Sequence, residues 1–347
     1  MNGTTKISLK LGCGRYDRVQ PLLDGRVQIE GVNLACWTGP PERVFSKMLH
    51  SHAFDISELS FSKYAMLRCE PEPVLIALPI FLSRMFRHGN LFVHARGEIK
   101  SPENLRGKRV GCKGYSVTAA VWFRGILHHE YGVTAEEIEW VESGNPDDPL
   151  YEIEQIKIPY PSQLQVTKGP LERTLEELLL AHAIQALFSP QVPPGMRTGK
   201  PDIVRLFPDY KAAEQDYYRR THICPIMHVL VMKEELHRKY PWLAANIARA
   251  FVEAKRASEI DLWFSGAPLV SNPWHLAALE EAYTVLGNDL WPYGIEPNRT
   301  TLEVLLTYLQ EQYITRRRLS VEEIFTPLPE DLDLTTRPPF EKASWQD

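Results

Sequence analysis

Short apolar runs recur along the first two-thirds of the chain, separated by stretches with apolar residues at i, i+3 and i+4. Residues 7–11, 32–37, 56–59, 74–79 and 91–93 read as strands. Pro40-Pro41-Glu42 opens a helix running to about His50, with Val44, Phe45, Met48 and Leu49 at helical spacing. A further helix runs from about Ser62 to Arg68. A second set begins with a capped turn at Ser101-Pro102-Glu103, followed by a strand at 109–112, a helix from Ala119 to about Tyr131 and a strand at 138–141. Helix 171–181 and short strands at 186–188 and 203–206 complete it. After the apolar run 226–232 the chain turns helical, at 241–264, 273–286 and 298–313. Residues 145–170, rich in proline and polar residues, read as a surface excursion. The proline-rich tail from Thr326 reads as extended chain on the surface.

Alternating strands and helices predict an α/β fold with largely parallel sheets, and two such sets predict two lobes followed by a helical C-terminal block. Ligands of such folds bind beyond the carboxyl ends of strands. Five segments stand there: Ser60-Phe61-Ser62; Ser83-Arg84-Met85-Phe86-Arg87-His88; Gly114-Tyr115-Ser116-Val117-Thr118; Ser189-Pro190; and His222 to His228, just before a late strand.

Arg84 and Arg87 suit carboxylates, because a guanidinium fork pairs with them through two bonds. His88 beside them can move protons near neutral pH. The same cluster also reads as an exposed basic loop. The segment ending in Thr118 opens a helix, where free N–H groups make an anion site; Ser116 and Thr118 also read as simple caps. His222 and His228 lie an even number of residues apart, so a strand would place both on one face unless Pro225 breaks the register. His50 and His52 close a helix, and His128-His129 fall on a helix facing solvent. No zinc-binding spacing, GxGxxG or GxxxxGK[ST] occurs, so no cofactor is expected. A divalent ion gathered by His88, His222 and His228 is the alternative.

The chain has 347 residues, enough for two domains, and 44% are hydrophobic. A net charge of −5 with scattered basic residues excludes a nucleic-acid partner. No run approaches the ~18 apolar residues of a membrane span, and the apolar stretch near the N-terminus is too short for a signal peptide, so a cytoplasmic location is expected. The five cysteines, Cys13, Cys36, Cys69, Cys112 and Cys224, show no CxxC spacing and read as reduced thiols. Cys112 and Cys224 are candidate nucleophiles lacking an activating pattern.

Several of these segments together resemble the 4,5-dihydroxyphthalate decarboxylase family. They are Tyr16-Asp17-Arg18 with Pro21 to Gly25, Phe54-Asp55-Ile56-Ser57-Glu58-Leu59-Ser60, Ser83 to His88, Leu105 to Gly111, Thr118 to Gly125, Leu206 to Tyr210 and Pro225-Ile226-Met227-His228. The resemblance covers most of residues 7–265. It implies a two-lobed type II periplasmic-binding-protein-like fold. Lobe one would comprise 1–94 and 226–347, lobe two 95–225, with crossings near 91–95 and 222–229. It further implies decarboxylation without an oxidant of a hydroxylated aromatic dicarboxylate, 4,5-dihydroxyphthalate to protocatechuate, by a homo-oligomer. On this reading Ser60, Arg84, Arg87, Ser116, Thr118 and Ser189 bind the substrate, and His88, His222 and His228 handle protons, with acid and base unassigned. The rival is a binding protein that holds an aromatic carboxylate in the same cleft without chemistry.

Overall fold

The computed structural model describes residues 6–145, 160–197, 202–264, 266 and 269–335. Two mixed sheets organise them. The first, in the order β2-β1-β3-β11-β4, contains β1 (Ile7–Cys13), β2 (Val32–Thr38), β3 (Ile56–Ser60), β4 (Leu75–Arg84) and β11 (Ile226–Lys233). β1 pairs in parallel with β2 and β3, while β11 runs antiparallel between β3 and β4. The second has the order β10-β5-β9-β6-β7-β8. It contains β5 (Leu91–His94), β6 (Arg109–Cys112), β7 (Glu139–Glu142), β8 (Gln165–Lys168), β9 (Ala186–Phe188) and β10 (Ile203–Arg205).

Three expectations shift. Arg84 ends a ten-residue strand rather than following one, because the run from Leu75 to Leu82 is buried throughout and stays paired with β11. Leu91–His94 already pairs with β9 and β10, so the chain has changed sheets by Leu91 and is back in the first at Ile226. Within the polar stretch 145–170, Gln165–Lys168 forms a parallel edge strand on β7; residues 146–159 lie outside the described residues. The sheets are mixed rather than largely parallel, because β11 and β5 are each inserted antiparallel. The helix Tyr210–Thr221, capped by the Asp209 carboxylate, has no counterpart in the apolar pattern, since only Tyr217 on it is buried.

One face of the first sheet packs Leu9, Leu11, Ile56, Leu78 and Leu230 against Ile247 and Phe251 of the helix Leu243–Trp263. Its other face joins a core continuous with the second sheet. The helix Thr118–Tyr131 connects β6 to β7, yet its side chains reach lobe one. The Trp122 indole N–H donates to the Ile226 carbonyl at 2.8 Å, and Arg124 Nε donates to Gln312 Oε1 at 2.7 Å. Gln312 in turn donates to the Val121 carbonyl at 2.9 Å. Gly125 lets the helix Arg299–Glu311 approach, since a Cβ there would lie 2.0 Å from the Tyr308 ring. Gly125→Val is therefore expected to lower stability by about 1–3 kcal/mol through overpacking, measured by urea unfolding; a neutral effect would show that the two helices separate freely.

Candidate active site

Three adjacent strands of the first sheet converge at the carboxyl end of β3. Glu58 and Ser60 alternate along β3, so their side chains share a face. His228 of β11 pairs with Ser60 in register and lies diagonal to Glu58. The Glu58 side chain is fully buried and accepts three hydrogen bonds. They come from the Gly14 N–H at 2.7 Å, the Tyr16 hydroxyl at 2.6 Å and His228 Nδ1 at 2.6 Å. Burial pushes this carboxyl up, but the bonds from His228, Tyr16 and Gly14 outweigh it and hold it below the ordinary glutamate value. Burial, reinforced by the Glu58 charge, keeps the Tyr16 phenol far above its usual range, so it remains a donor. The Phe45 ring meets the His228 imidazole edge-on at 4.8 Å. Arg18 lies over the Tyr16 ring at 4.5 Å and over Trp291 at 3.8 Å, bracing the outer end of the group.

His228 opens into a cleft of about 210 Å³, shared with Ser60, Lys63, Arg87, Thr118 and Gln191. That volume suits one substituted benzene ring. Lys63 and Arg87 are almost wholly buried. Lys63 Nζ donates to Ser116 Oγ at 2.5 Å. The Arg87 guanidinium reaches Asn90 Oδ1 at 3.3 Å, and its buried Nε makes no hydrogen bond. Burial lowers Arg87 to about 10, partly opposed by Glu214, which leaves it cationic at neutral pH. No side chain caps the helix Thr118–Tyr131, and its first residues line the cleft. The Thr118 hydroxyl bonds Ser60 Oγ at 2.9 Å and accepts from the Ser62 N–H at 3.0 Å instead of capping its helix. Ser62 Oγ donates to the Ser116 carbonyl at 2.5 Å. The cleft thus offers cations and helix N–H groups to an anion, together with an imidazole backed by a carboxylate.

No family model matches the chain. It is 35% identical over 323 residues to a 4,5-dihydroxyphthalate decarboxylase of Comamonas testosteroni, covering 93% of this chain and 97% of that protein. The chain belongs to the 4,5-dihydroxyphthalate decarboxylase family. A second member, from Pseudomonas putida, is 33% identical over 214 residues, 62% of this chain and 82% of the relative. Among solved structures the chain superposes on the periplasmic sulfonate-binding protein SsuA of Methylobacillus flagellatus with a TM-score of 0.55, covering 93% of this chain and 92% of that one, at 11% identity. It also superposes on the desulfurization enzyme DSZB with a TM-score of 0.51, covering 93% and 97%, at 14% identity. These likenesses show the type II periplasmic-binding-protein-like fold.

Of the residues expected to serve this decarboxylase-family site, Ser60, Arg87, Thr118 and His228 meet in the cleft. Ser116 stands behind it, holding Lys63. Four others do not. Arg84, on β4, donates to the carbonyls of Pro292 and Cys224 at 3.2 and 3.1 Å and ties the first sheet to the C-terminal block. His88 is buried against Phe207 and Tyr217, where desolvation, opposed by Glu130, drops its pKa to about 4. His222 is an exposed, left-handed cap of the helix Tyr210–Thr221, four residues before β11 begins, so no shared strand face exists. Ser189 donates to the Gln191 carbonyl at 2.6 Å and lines an adjoining cavity of about 380 Å³ with Lys113 and Ser143, sharing Gln191 with the cleft. That cavity is larger, but it lacks the histidine–carboxylate pair.

His88, His222 and His228 also do not gather around a metal; among the described residues the one group with ligand spacing is the exposed His128, His129 and Glu311. Burial raises the Cys224 thiol, which leaves it a poor nucleophile. Glu58 and Lys63 went unrecognised in the sequence. A charged residue within a buried strand, two positions before Ser60, was the available signal for Glu58.

Arg87→Lys is expected to raise KM by about 10–100-fold, the cost of a charge-assisted bond of about 1.5–3 kcal/mol. Arg84→Lys is expected to lower stability and leave KM unchanged. The reverse pattern in steady-state kinetics and thermal melts would exchange their roles.

His88 also predicts a pH dependence. The unfolded ring binds a proton from about 6.5 and the folded ring only near 4, so folding stability falls as pH drops through that window, by about 3 kcal/mol. His88→Phe should flatten the curve between pH 6.5 and 4; an unchanged slope in urea titrations would refute the assignment.

Proposed function

We propose that the chain decarboxylates a hydroxylated aromatic dicarboxylate, 4,5-dihydroxyphthalate, to protocatechuate and CO2. The observation that carries this reading is the Glu58–His228 pair at a ring-sized cleft that Arg87 and Lys63 also line. A receptor for an aromatic acid needs the cations, but it has no use for an imidazole in the cleft backed by a buried carboxylate. The names of the two relatives supply the substrate class.

In 4,5-dihydroxyphthalate each carboxylate is para to a hydroxyl. Removing a phenolic proton pushes electron density onto the carbon that carries the opposite carboxylate. That carbon takes up a proton, its bond to the carboxylate breaks, the bonding pair restores the aromatic ring, and CO2 departs. One proton is consumed overall and no electrons are exchanged with an external acceptor. Arg87, Lys63 and the helix N-terminus at Thr118 hold the carboxylates and fix the ring. His228 is the proton-transfer group beside it. The Ser60 and Thr118 hydroxyls, 2.9 Å apart, can carry a proton on towards the ring.

Purified protein incubated with 4,5-dihydroxyphthalate should release CO2 and one equivalent of protocatechuate, and His228→Gln should lower kcat by about 10²–10⁴. Tight binding with no CO2 would identify a binding protein. Near-wild-type kcat in His228→Gln, with the fold confirmed by circular dichroism, would remove the histidine from the chemistry.

A further inference from the structure

We propose that Glu58 is a positioning residue that fixes His228 as the base of the reaction, and that Gly14 and Tyr16 hold Glu58 in that task. This rests on the decarboxylase reading for its consequence in turnover, but the arrangement it describes exists in the free protein. An ionised carboxylate only accepts hydrogen bonds. The short contact to His228 Nδ1 therefore requires the proton on Nδ1. In the neutral ring Nε2 then carries a lone pair, and Nε2 is the nitrogen left for the cleft. A resting lone pair there takes a proton; it cannot give one. With the ring neutral, His228 is the base among the roles the sequence left open.

The step balances. The phenolic O–H bond breaks and an Nε2–H bond forms, leaving an imidazolium beside the Glu58 carboxylate. The oxygen lone pair moves into the ring. The carbon para to that oxygen lies across the ring, so His228 does not reach both atoms from one position; the proton passes on through the adjacent Ser60 and Thr118 hydroxyls, or arrives from water. Glu58 thus acts at a distance from the substrate, with both of its oxygens hydrogen-bonded.

Glu58→Gln tests this with a sharp prediction, because three donors face that side chain. The Gly14 N–H on Oε2 can only donate and will claim the amide oxygen, while the Tyr16 hydroxyl, which shares Oε1 with Nδ1, can turn to accept. The amide NH2 is then left facing Nδ1, which must accept, and the proton moves to Nε2. Nitrogen NMR of histidine-labelled protein without substrate should show the His228 proton on Nδ1 in the wild type and on Nε2 in Glu58→Gln. With 4,5-dihydroxyphthalate, kcat should fall by about 10²–10⁴ while KM changes by less than about threefold.

Burial keeps Cys13 and Tyr16, both next to Glu58, protonated at neutral pH. A wild-type His228 with its proton on Nε2 overturns the proposal, as does a folded Glu58→Gln with kcat within threefold of wild type. If Glu58→Gln does not fold, the wild-type tautomer alone decides. If the wild type releases no CO2, the functional reading fails while the tautomer measurement still stands or falls by itself.

Discussion

A single buried carboxylate organises this site. Glu58 sits where β1, β3 and β11 meet, and a charge in that position is tolerable only because three donors meet it, at least one on each oxygen. The demand fixes more than one side chain. It sets the course of the chain leaving β1 through Gly14 and Tyr16, and it sets the ring plane of His228 on β11. Arg18 and Trp291 extend the same constraint outward through the Tyr16 ring. The strand order therefore matters to chemistry: inserting β11 antiparallel between β3 and β4 puts His228 beside Ser60 and within reach of Glu58.

Two parts of the chain meet at the cleft. The strands of the first sheet and the segments that follow them supply the carboxylate–imidazole pair, Lys63 and Arg87, and the beginning of the helix Thr118–Tyr131 supplies backbone N–H groups. The hydroxyls of Ser60, Ser62 and Thr118 sit at the seam and bond to one another across it. They hold the walls in register while remaining able to donate or accept.

Much of the architecture was legible in the pattern of apolar residues, because runs such as Leu75 to Leu82 and Val110 to Cys112 are buried as their composition implies. The site was legible in part. Ser60, Arg87, Thr118 and His228 follow from their places near strand ends. Arg84 and His88 belong to the same hexapeptide as Arg87, yet β4 continues to Arg84 and sends its guanidinium to the C-terminal block, while His88 turns into an aromatic pocket. Adjacent residues in an extended chain point in different directions, so a cluster in sequence is not a cluster in space. Glu58 was hidden for the opposite reason: its partners lie 44, 42 and 170 residues away along the chain.

The helix Thr118–Tyr131 has a further meaning. Receptors of this fold swing open on their crossing segments to load and unload cargo. Here Trp122 is bonded to Ile226 and Arg124 to Gln312, so a hinge motion of that kind would tear buried donors from their acceptors. The molecule is a shell bolted shut at its back. Traffic into the cleft is left to the lip, where Gln191 of one lobe meets Glu42 of the other at 3.4 Å over a contact weak enough to part. A cleft tied at its back suits a reaction from which one product leaves as a gas, since a small molecule needs only the lip to part.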